Sequence, residues 1–200
     1  MDSNSFKPAG IAAIALAVLF PIYWLYVVSF SATYEGEFWL EFEQLNLWDL
    51  LFVVIGALEI WVYLAFRKLV SYQLNGSLLS ILLLIMVGLV GLFHATVVVD
   101  LFIAFGLAGA FADTMITVAV TLGLVFLFLY AVVALIFALV MLKQFTSLSS
   151  LLKVFAVGLL VASVFQFTVV LGVLNILLFP ILMIILSIEF FRGEQSIEVV

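Results

Sequence analysis

The sequence predicts an all-α polytopic membrane protein, a bundle of six transmembrane helices with both termini in the cytoplasm. The first observation is composition: 68% of the 200 residues are hydrophobic and 9% are charged, whereas soluble domains have about 45 to 50% and about 25%. The second is that apolar runs of about 20 residues, the length that crosses a bilayer, recur along the chain. The third is the distribution of basic residues described below. Residues 1–200 are therefore predicted to form one transmembrane domain.

The first apolar run, 8–31, predicts span one. Tyr23, Trp24 and Tyr26 gather toward its far end, as in the aromatic belt of a membrane interface. A cleaved signal peptide is the alternative, because a lysine precedes the run and "SFSA" at 29–32 resembles a cleavage site. The run is longer than the apolar core of a signal peptide, which has about 7 to 15 residues, and this favours a retained span.

The next part of the chain combines charged and apolar residues. An acidic extracytoplasmic loop is predicted at 32–46, where glutamates are interleaved with aromatic residues. Span two follows at 47–66, and span three at 78–99. The stretch 100–113, "DLFIAFGLAGAFAD", is apolar but too short to span a bilayer. It is either an interfacial or re-entrant segment or the splayed end of span three.

The second half of the chain predicts three more spans. Span four covers 114–142. From 154 to 191 the chain is apolar for 38 residues, which would be about 57 Å as one helix and nearly twice the bilayer core, so it must fold back. The best break lies at "LGVLN", 171–175. Span five is therefore predicted at 151–171 and span six at 173–191.

This topology separates the basic residues from the acidic loops. All bases fall on one side and the loop acids on the other, which is the positive-inside distribution, so the basic side is predicted to be cytoplasmic. The bases are Lys7, Arg67, Lys68, Lys143, Lys153 and Arg192, and the acids are Glu35, Glu37, Glu41, Glu43, Asp100 and Asp113. Asp100 and Asp113 each precede an apolar stretch, so they are interpreted as helix N-caps.

Glu59 is the one acidic residue that the sequence places well inside a span. An acidic side chain near the centre of a membrane helix costs roughly 2.5 to 3.5 kcal/mol on insertion, so we expect it to be neutral, paired or facing water. Helical spacing places Gly56, Glu59 and Tyr63 on one face, and Tyr63 offers a hydroxyl. One hypothesis is a proton or cation carrier; the other is a glutamate that fastens two helices, its charge partly offset by Arg67.

A second polar group follows from depth along the helices rather than from spacing. Counted from the outer ends of the spans, its members lie within about 10 Å of the surface. They are Asp49, His94, Gln166, Asn175, Thr117 and Thr121. If they face inward, this outer-leaflet polar layer lines a vestibule toward Glu59, with Asp49 and His94 as an ion pair. If they do not, they make hydrogen bonds between helices near the interface.

Several functions are excluded by what the sequence lacks. There is no cysteine and one histidine, so no metal site is predicted. No P-loop, H-E-x-x-H, G-x-S-x-G or dinucleotide motif is present, and neither an enzyme with catalytic residues nor a cofactor is predicted. Nucleic-acid binding is not predicted either, because the six bases are scattered over several short segments.

Two functions remain, both for a multi-pass protein whose main partner is the lipid bilayer. The first is a non-enzymatic scaffold or accessory membrane subunit, which binds a membrane-protein partner or forms a homo-oligomer. The second is a small ion channel or proton- or cation-coupled transporter that uses Glu59. The sequence favours the first narrowly, because intramembrane polar groups are few. The predicted location is the cell membrane, and the small size and short tails favour a bacterial inner membrane.

Overall fold

The structure is a computed structural model that describes residues 6–33, 45–74 and 77–195. Over these residues the all-α prediction is confirmed, and none of them forms a strand. The helices are α1 Lys7–Thr33, α2 Leu47–Leu74, α3 Ser77–His94, α4 Val97–Ala104, α5 Ala112–Lys143, α6 Ser150–Gln166, α7 Val169–Gly172 and α8 Asn175–Gln195.

The six long helices form a closed ring. Helix α1 packs against α2, α2 against α3, α3 against α5, α5 against α6 and α6 against α8, and α8 returns to α1. Neighbours in the ring alternate in direction. We call one end of the bundle the His94 end, because α1, α3 and α6 finish there and α2, α5 and α8 begin there. The opposite end, where α5 finishes, is the Lys143 end.

Five helical stretches of the described chain are long and apolar enough to cross a membrane. They are Lys7–Thr33, Leu47–Ser71, Ser77–Ala104, Gly109–Lys143 and Asn175–Arg192. The remaining long helix of the ring, α6, is apolar but has only 17 residues, about 26 Å at 1.5 Å per residue. By length and composition the fold is compatible with a membrane protein.

The half of the ring near the Lys143 end is packed solid with side chains. Phe66 of α2 is fully buried and lies edge-on to Phe137 of α5 and Phe155 of α6, with ring centroids 5.8 and 5.2 Å apart. On the other side of the ring, Phe6 stacks on Phe190 at 6.0 Å. All of these residues belong to one buried cluster, to which each of the six long helices contributes side chains.

The ring closes where α1 meets α8, and the sequence of both helices allows a close approach. Gly10 of α1 faces Phe191, and a Cβ at position 10 would lie 2.9 Å from the Phe191 ring. Beside it, the buried Ser187 hydroxyl donates to the Gly10 carbonyl at 2.9 Å. A small residue at position 10 therefore permits both the ring contact and an interhelical hydrogen bond.

Helix α2 is longer than the sequence predicted. It continues to Leu74, eight residues beyond the predicted end of span two at 66, and Arg67 and Lys68 lie inside the helix. The drop in hydropathy at these two residues was interpreted as the end of the helix, but arginine and lysine are good helix formers. Arg67 is half-buried, and its Nε donates to Ser80 Oγ of α3 at 2.6 Å.

The stretch 100–113 bends away from α3 in two steps. After the turn that follows His94, α4 begins, and it ends in a Schellman motif: Leu107 N–H donates to the Phe102 carbonyl at 2.8 Å, and Gly106 N–H to Ile103 at 2.9 Å. Gly106 has φ +68°, which glycine adopts without a Cβ clash. A 3₁₀ turn, Gly109–Phe111, then leads into α5.

Neither aspartate of this region is the predicted helix cap. The N-cap residues of α4 and α5 are Thr96 and Phe111, and neither makes a side-chain capping bond. Asp100 and Asp113 instead lie in the first turns of α4 and α5, where a carboxylate complements the helix dipole. Caps at Asp100 and Asp113 would start these helices four and two residues later than the observed starts at Val97 and Ala112.

The chain folds back between α6 and α8 earlier than predicted. Helix α6 ends at Gln166 rather than at 171, because Thr168 adopts an extended backbone, and the single turn of α7 fills the connection. Helix α8 begins at Asn175 rather than at 173. Most of the predicted acidic loop, 34–44, lies outside the described residues.

Candidate functional site

The half of the ring near the His94 end encloses a cavity of about 610 Å³. Every long helix lines it with its part nearer to this end or to the middle of the bundle: 20–31, 52–59, 89–94, 124–131, 159–167 and 172–182. The lining residues Val28, Phe128 and Val173 are exposed, so the cavity opens to the outside. Its volume lies within the range of small-molecule sites, about 300 to 1,000 Å³.

The cavity does not reach the Lys143 end. Below its lining, Tyr63, Phe66, Met86, Phe137 and Leu186 are all buried, at 2% exposure or less. Only a narrow gap of about 10 Å³ remains between them, too small for anything but a single water molecule. The bundle is therefore hollow in one half and closed in the other.

Glu59 lies at the inner limit of the cavity. It is the deepest lining residue of α2, about 18 Å along the helix from Leu47, and it is 6% exposed. The Tyr63 hydroxyl is its side-chain partner, and this hydroxyl is also hydrogen-bonded to the Tyr130 hydroxyl of α5. Glu59, Tyr63 and Tyr130 thus form one polar cluster.

Neither lysine nor arginine accompanies this carboxylate in the cavity. The lining, among the residues that the structure describes, contains one base, His94, and no lysine or arginine. Arg67, which was expected to offset the charge in part, is not a lining residue, and its Nε donates to Ser80 Oγ of α3. Glu59 can therefore bind a proton or an added cation.

His94 lies at the side of the cavity, in a pocket that α2 provides. Its ring is 4.3 Å from the Phe52 ring, and its Nδ1 bonds the Val90 carbonyl at 2.9 Å. A Cβ at Gly56 would overlap the imidazole, so glycine is needed there. The expected ion pair with Asp49 is not formed.

Asp49 has a different role. Its Oδ2 accepts from the Asn46 N–H at 2.7 Å, while Asn46 Oδ1 accepts from the Trp48 N–H at 2.6 Å. The two side chains thus satisfy backbone donors at the start of α2 in the manner of a capping box. Asp49 is not among the cavity-lining residues. Because its carboxylate caps the start of α2, Asp49 does not belong to the polar layer that the sequence predicted.

Gln166 and Asn175 meet across the fold-back at the mouth of the cavity. Asn175 Nδ2 donates to Gln166 Oε1 at 2.9 Å and to the Ala162 carbonyl at 3.0 Å. The Oδ1 atom of Asn175 is buried and accepts no hydrogen bond from the described residues. Together with His94, these two amides are the part of the predicted polar layer that lines the cavity.

The two threonines of the predicted layer belong elsewhere. Thr117 and Thr121 are exposed, and each hydroxyl donates to the carbonyl four residues earlier in α5, at 2.8 and 2.7 Å. They satisfy their own helix and do not line the cavity. The predicted layer was based on depth along each helix, and depth does not determine which way a side chain faces.

Sequence reasoning missed Tyr130 and Glu189. Tyr130 is the one tyrosine of α5, and a hydroxyl in the middle of an apolar helix was the signal that could have identified it. Glu189 of α8 is 3% exposed, and its Oε2 accepts no hydrogen bond from the described part of the chain. It is not part of the cavity.

The described residues form a ring of six long helices around a half-open, mainly apolar cavity that ends at a carboxylate. No three His, Cys, Asp or Glu side chains come together within 6–33, 45–74 and 77–195. Comparisons with protein-family models, curated proteins and solved structures find no match to the chain.

The contact between Gly56 and His94 predicts the effect of a substitution. Gly56→Val would drive two methyl groups into the imidazole, so we expect it to destabilise the fold by about 1 to 3 kcal/mol, as overpacking does. Unfolding in detergent by titration with sodium dodecyl sulfate measures this. Gly88→Val is the control, because nothing lies within 4 Å of a Cβ there, and its stability should stay within about 0.5 kcal/mol of the wild type. Equal effects would contradict the close contact.

Proposed function

We propose that this protein is a small, non-enzymatic carrier of the cell membrane, which couples movement of a solute to a proton or cation exchanged at Glu59. The observation that carries the proposal is the position of Glu59 at the inner limit of a cavity that opens at one end of a helical ring. An intramembrane carboxylate that faces a cavity is a typical element of ion and proton pathways.

Six spans with both termini in the cytoplasm are part of this proposal. Five of the six ring helices have the length and composition of a span, and α6 belongs to the same ring. The basic residues support the orientation: all six occur at or within about 10 Å of the Lys143 ends of their helices. The cavity would then open to the extracytoplasmic side.

A carrier is favoured over a channel by the closed half of the bundle. A channel needs a continuous path, whereas the described aromatic and aliphatic side chains between Glu59 and the Lys143 end are buried against one another. In a carrier, one half of the bundle is open while the other half is closed, and the two halves alternate between these states. The described arrangement corresponds to the outward-open state of such a cycle.

A carrier is also favoured over the scaffold or accessory subunit that the sequence ranked first. A glutamate that only fastens helices would be expected at a helix contact, filled by a partner side chain on the neighbouring helix. Glu59 instead faces open space on one side and the Tyr63 hydroxyl on the other. A cavity of this size costs packing contacts, and a scaffold has no use for it.

The test is labelling of Glu59 with an apolar carbodiimide in protein reconstituted into lipid vesicles. Carbodiimides react with protonated carboxyl groups, so we expect labelling of Glu59 that falls as the pH is raised. Mass spectrometry of the digested protein identifies the labelled residue. Repeating the series with sodium distinguishes the two possible coupling ions. A sodium ion bound at Glu59 would slow the labelling, whereas sodium would not change the labelling if the carrier is coupled to protons alone.

Glu189 is the internal control in the same molecules. It is as buried as Glu59 but lies outside the cavity, so it should stay unlabelled under conditions that label Glu59. Absence of Glu59 labelling at every pH would mean a sealed structural glutamate and would return the accessory-subunit hypothesis to first place. Equal labelling of both carboxyls would show that access does not depend on the cavity, and it would also count against the carrier.

A further inference from the structure

The charge of the cavity is set by one residue. Of the described residues that line it, Glu59 is the one acidic side chain, and no lysine or arginine accompanies it. The ionised carboxylate would repel an anionic ligand. A zwitterion would bring its own carboxylate into a site with no lysine or arginine to receive it, so the charge selects a ligand that carries positive charge only.

The walls of the cavity are mainly apolar and rich in aromatic rings. Rings from α1, α2 and α8 lie along it: Phe20 lies 4.2 Å from Phe179, and Tyr23 lies 5.3 Å from Phe52. Trp24 also lines it. The faces of such rings attract cations, most strongly where water is excluded. A ring face has no oxygen ligand and does not replace the hydration shell of a small inorganic ion.

Size separates a bulky ligand from a bare ion. A volume of about 610 Å³ is far larger than sodium or a proton requires, whereas it matches an organic molecule of ordinary drug size. The ligand that fits the charge, the walls and the size is large, weakly hydrated and cationic.

We infer that the cavity binds bulky monovalent organic cations, with their charge on the Glu59 carboxylate and their apolar groups against the aromatic walls. This inference rests on the proposed carrier function and names its substrate class. The same carboxylate cannot hold a proton and an organic cation together. When Glu59 is protonated, its proton therefore leaves as the cation binds, and this exchange is the coupling step.

The test uses tetraphenylphosphonium, a bulky apolar cation, and equilibrium dialysis of the purified full-length protein in detergent. We expect saturable binding by the wild type that weakens as the pH is lowered, because protons compete for the same carboxylate. Tetraphenylborate has the same shape and the opposite charge, and it should not bind. Equal binding of the two ions would overturn the inference, as would tetraphenylphosphonium binding that is independent of pH.

Variants locate the binding site. Glu59→Gln should weaken tetraphenylphosphonium binding by about 10- to 100-fold, the loss expected for one charged interaction. Glu59→Asp keeps a carboxylate and should retain most of the affinity. It is the control that shows whether a loss in the glutamine variant comes from the lost charge or from any change at position 59. Glu189→Gln removes a buried carboxylate outside the cavity and should bind like the wild type. Unchanged affinity in Glu59→Gln would overturn the inference.

The outcomes distinguish this inference from the carrier proposal. If Glu59 reacts with carbodiimide in a pH-dependent way but no tetraphenylphosphonium binds, the carrier stands and the substrate class is wrong. If the cation binds through Glu59 but carbodiimide labelling does not depend on pH, the ligand class stands and the exchange of a proton is wrong.

Discussion

Ala162→Cys is expected to react readily with a charged, water-soluble methanethiosulfonate, although the residue at this position is only 8% exposed. The methyl group of Ala162 lines the cavity, and the added sulfur would extend into its open volume. A thiol reaches its reactive thiolate form only in contact with water. A cationic reagent should react faster than an anionic one of similar size, because the Glu59 carboxylate attracts cations into the cavity and repels anions. The natural chain has no cysteine, so the background is zero.

Val157→Cys provides the matched control on the same helix. Val157 is 48% exposed on the outer surface of α6, yet lipid would cover it if the bundle spans a membrane, and its thiol should not react in vesicles. The expected order of reactivity is thus the reverse of the order of exposure. Reaction at position 157 together with protection at position 162 would contradict both the membrane placement and the water-filled cavity.

Phe66→Ala is expected to destabilise the protein by about 3 kcal/mol, near the low end of the range for such substitutions in cores. The side chain is fully buried where α2, α5 and α6 meet, and it contacts two other phenylalanine rings. In lipid the transfer part of the loss is small, because hydrocarbon tails are as apolar as the ring. The lost packing contacts remain. Unfolding by sodium dodecyl sulfate gives the difference.

Phe128→Ala separates loss of packing from loss of an aromatic ring. Phe128 lies on α5 at the rim of the cavity, is 56% exposed and contacts one ring, Phe167 at 5.5 Å. We expect a change within about 0.5 kcal/mol, as for exposed positions generally. If the two variants lose equal stability, the closed half of the bundle is not the rigid core that the packing indicates.

The sequence predicted element type better than element boundaries. Hydropathy found each long helix, since the apolar content of a segment does not depend on its neighbours. The predicted helix boundaries differ from the observed ones where hydropathy and helix propensity disagree. Arg67 and Lys68 lower the hydropathy of the segment but have high helix propensity, so α2 continues to Leu74. At Thr168 the hydropathy stays high but the helix is interrupted, because the backbone of this residue is extended.

The candidate site was predicted only in part, for a related reason. Glu59 and Tyr63 were identified because a polar residue in an apolar helix is visible without a structure, and their spacing places both on one face. Tyr130 joins them from α5, and no pattern in the sequence connects positions 63 and 130. Asp49 was assigned to the vestibule from its depth, whereas a local hydrogen bond holds it at a helix start.

The sequence by itself determined that the described chain is helical and largely apolar, that its bases cluster toward one end of the helices, and that one carboxylate lies deep in a helix. These follow from composition and from contacts between residues a few positions apart. Tertiary structure alone decided that α8 closes the ring against α1, that one half of the ring is hollow, and that Glu59 faces that space. The rotation of each helix about its axis is set by which side chains fit against its neighbours, and that information is shared among six helices distant in the chain.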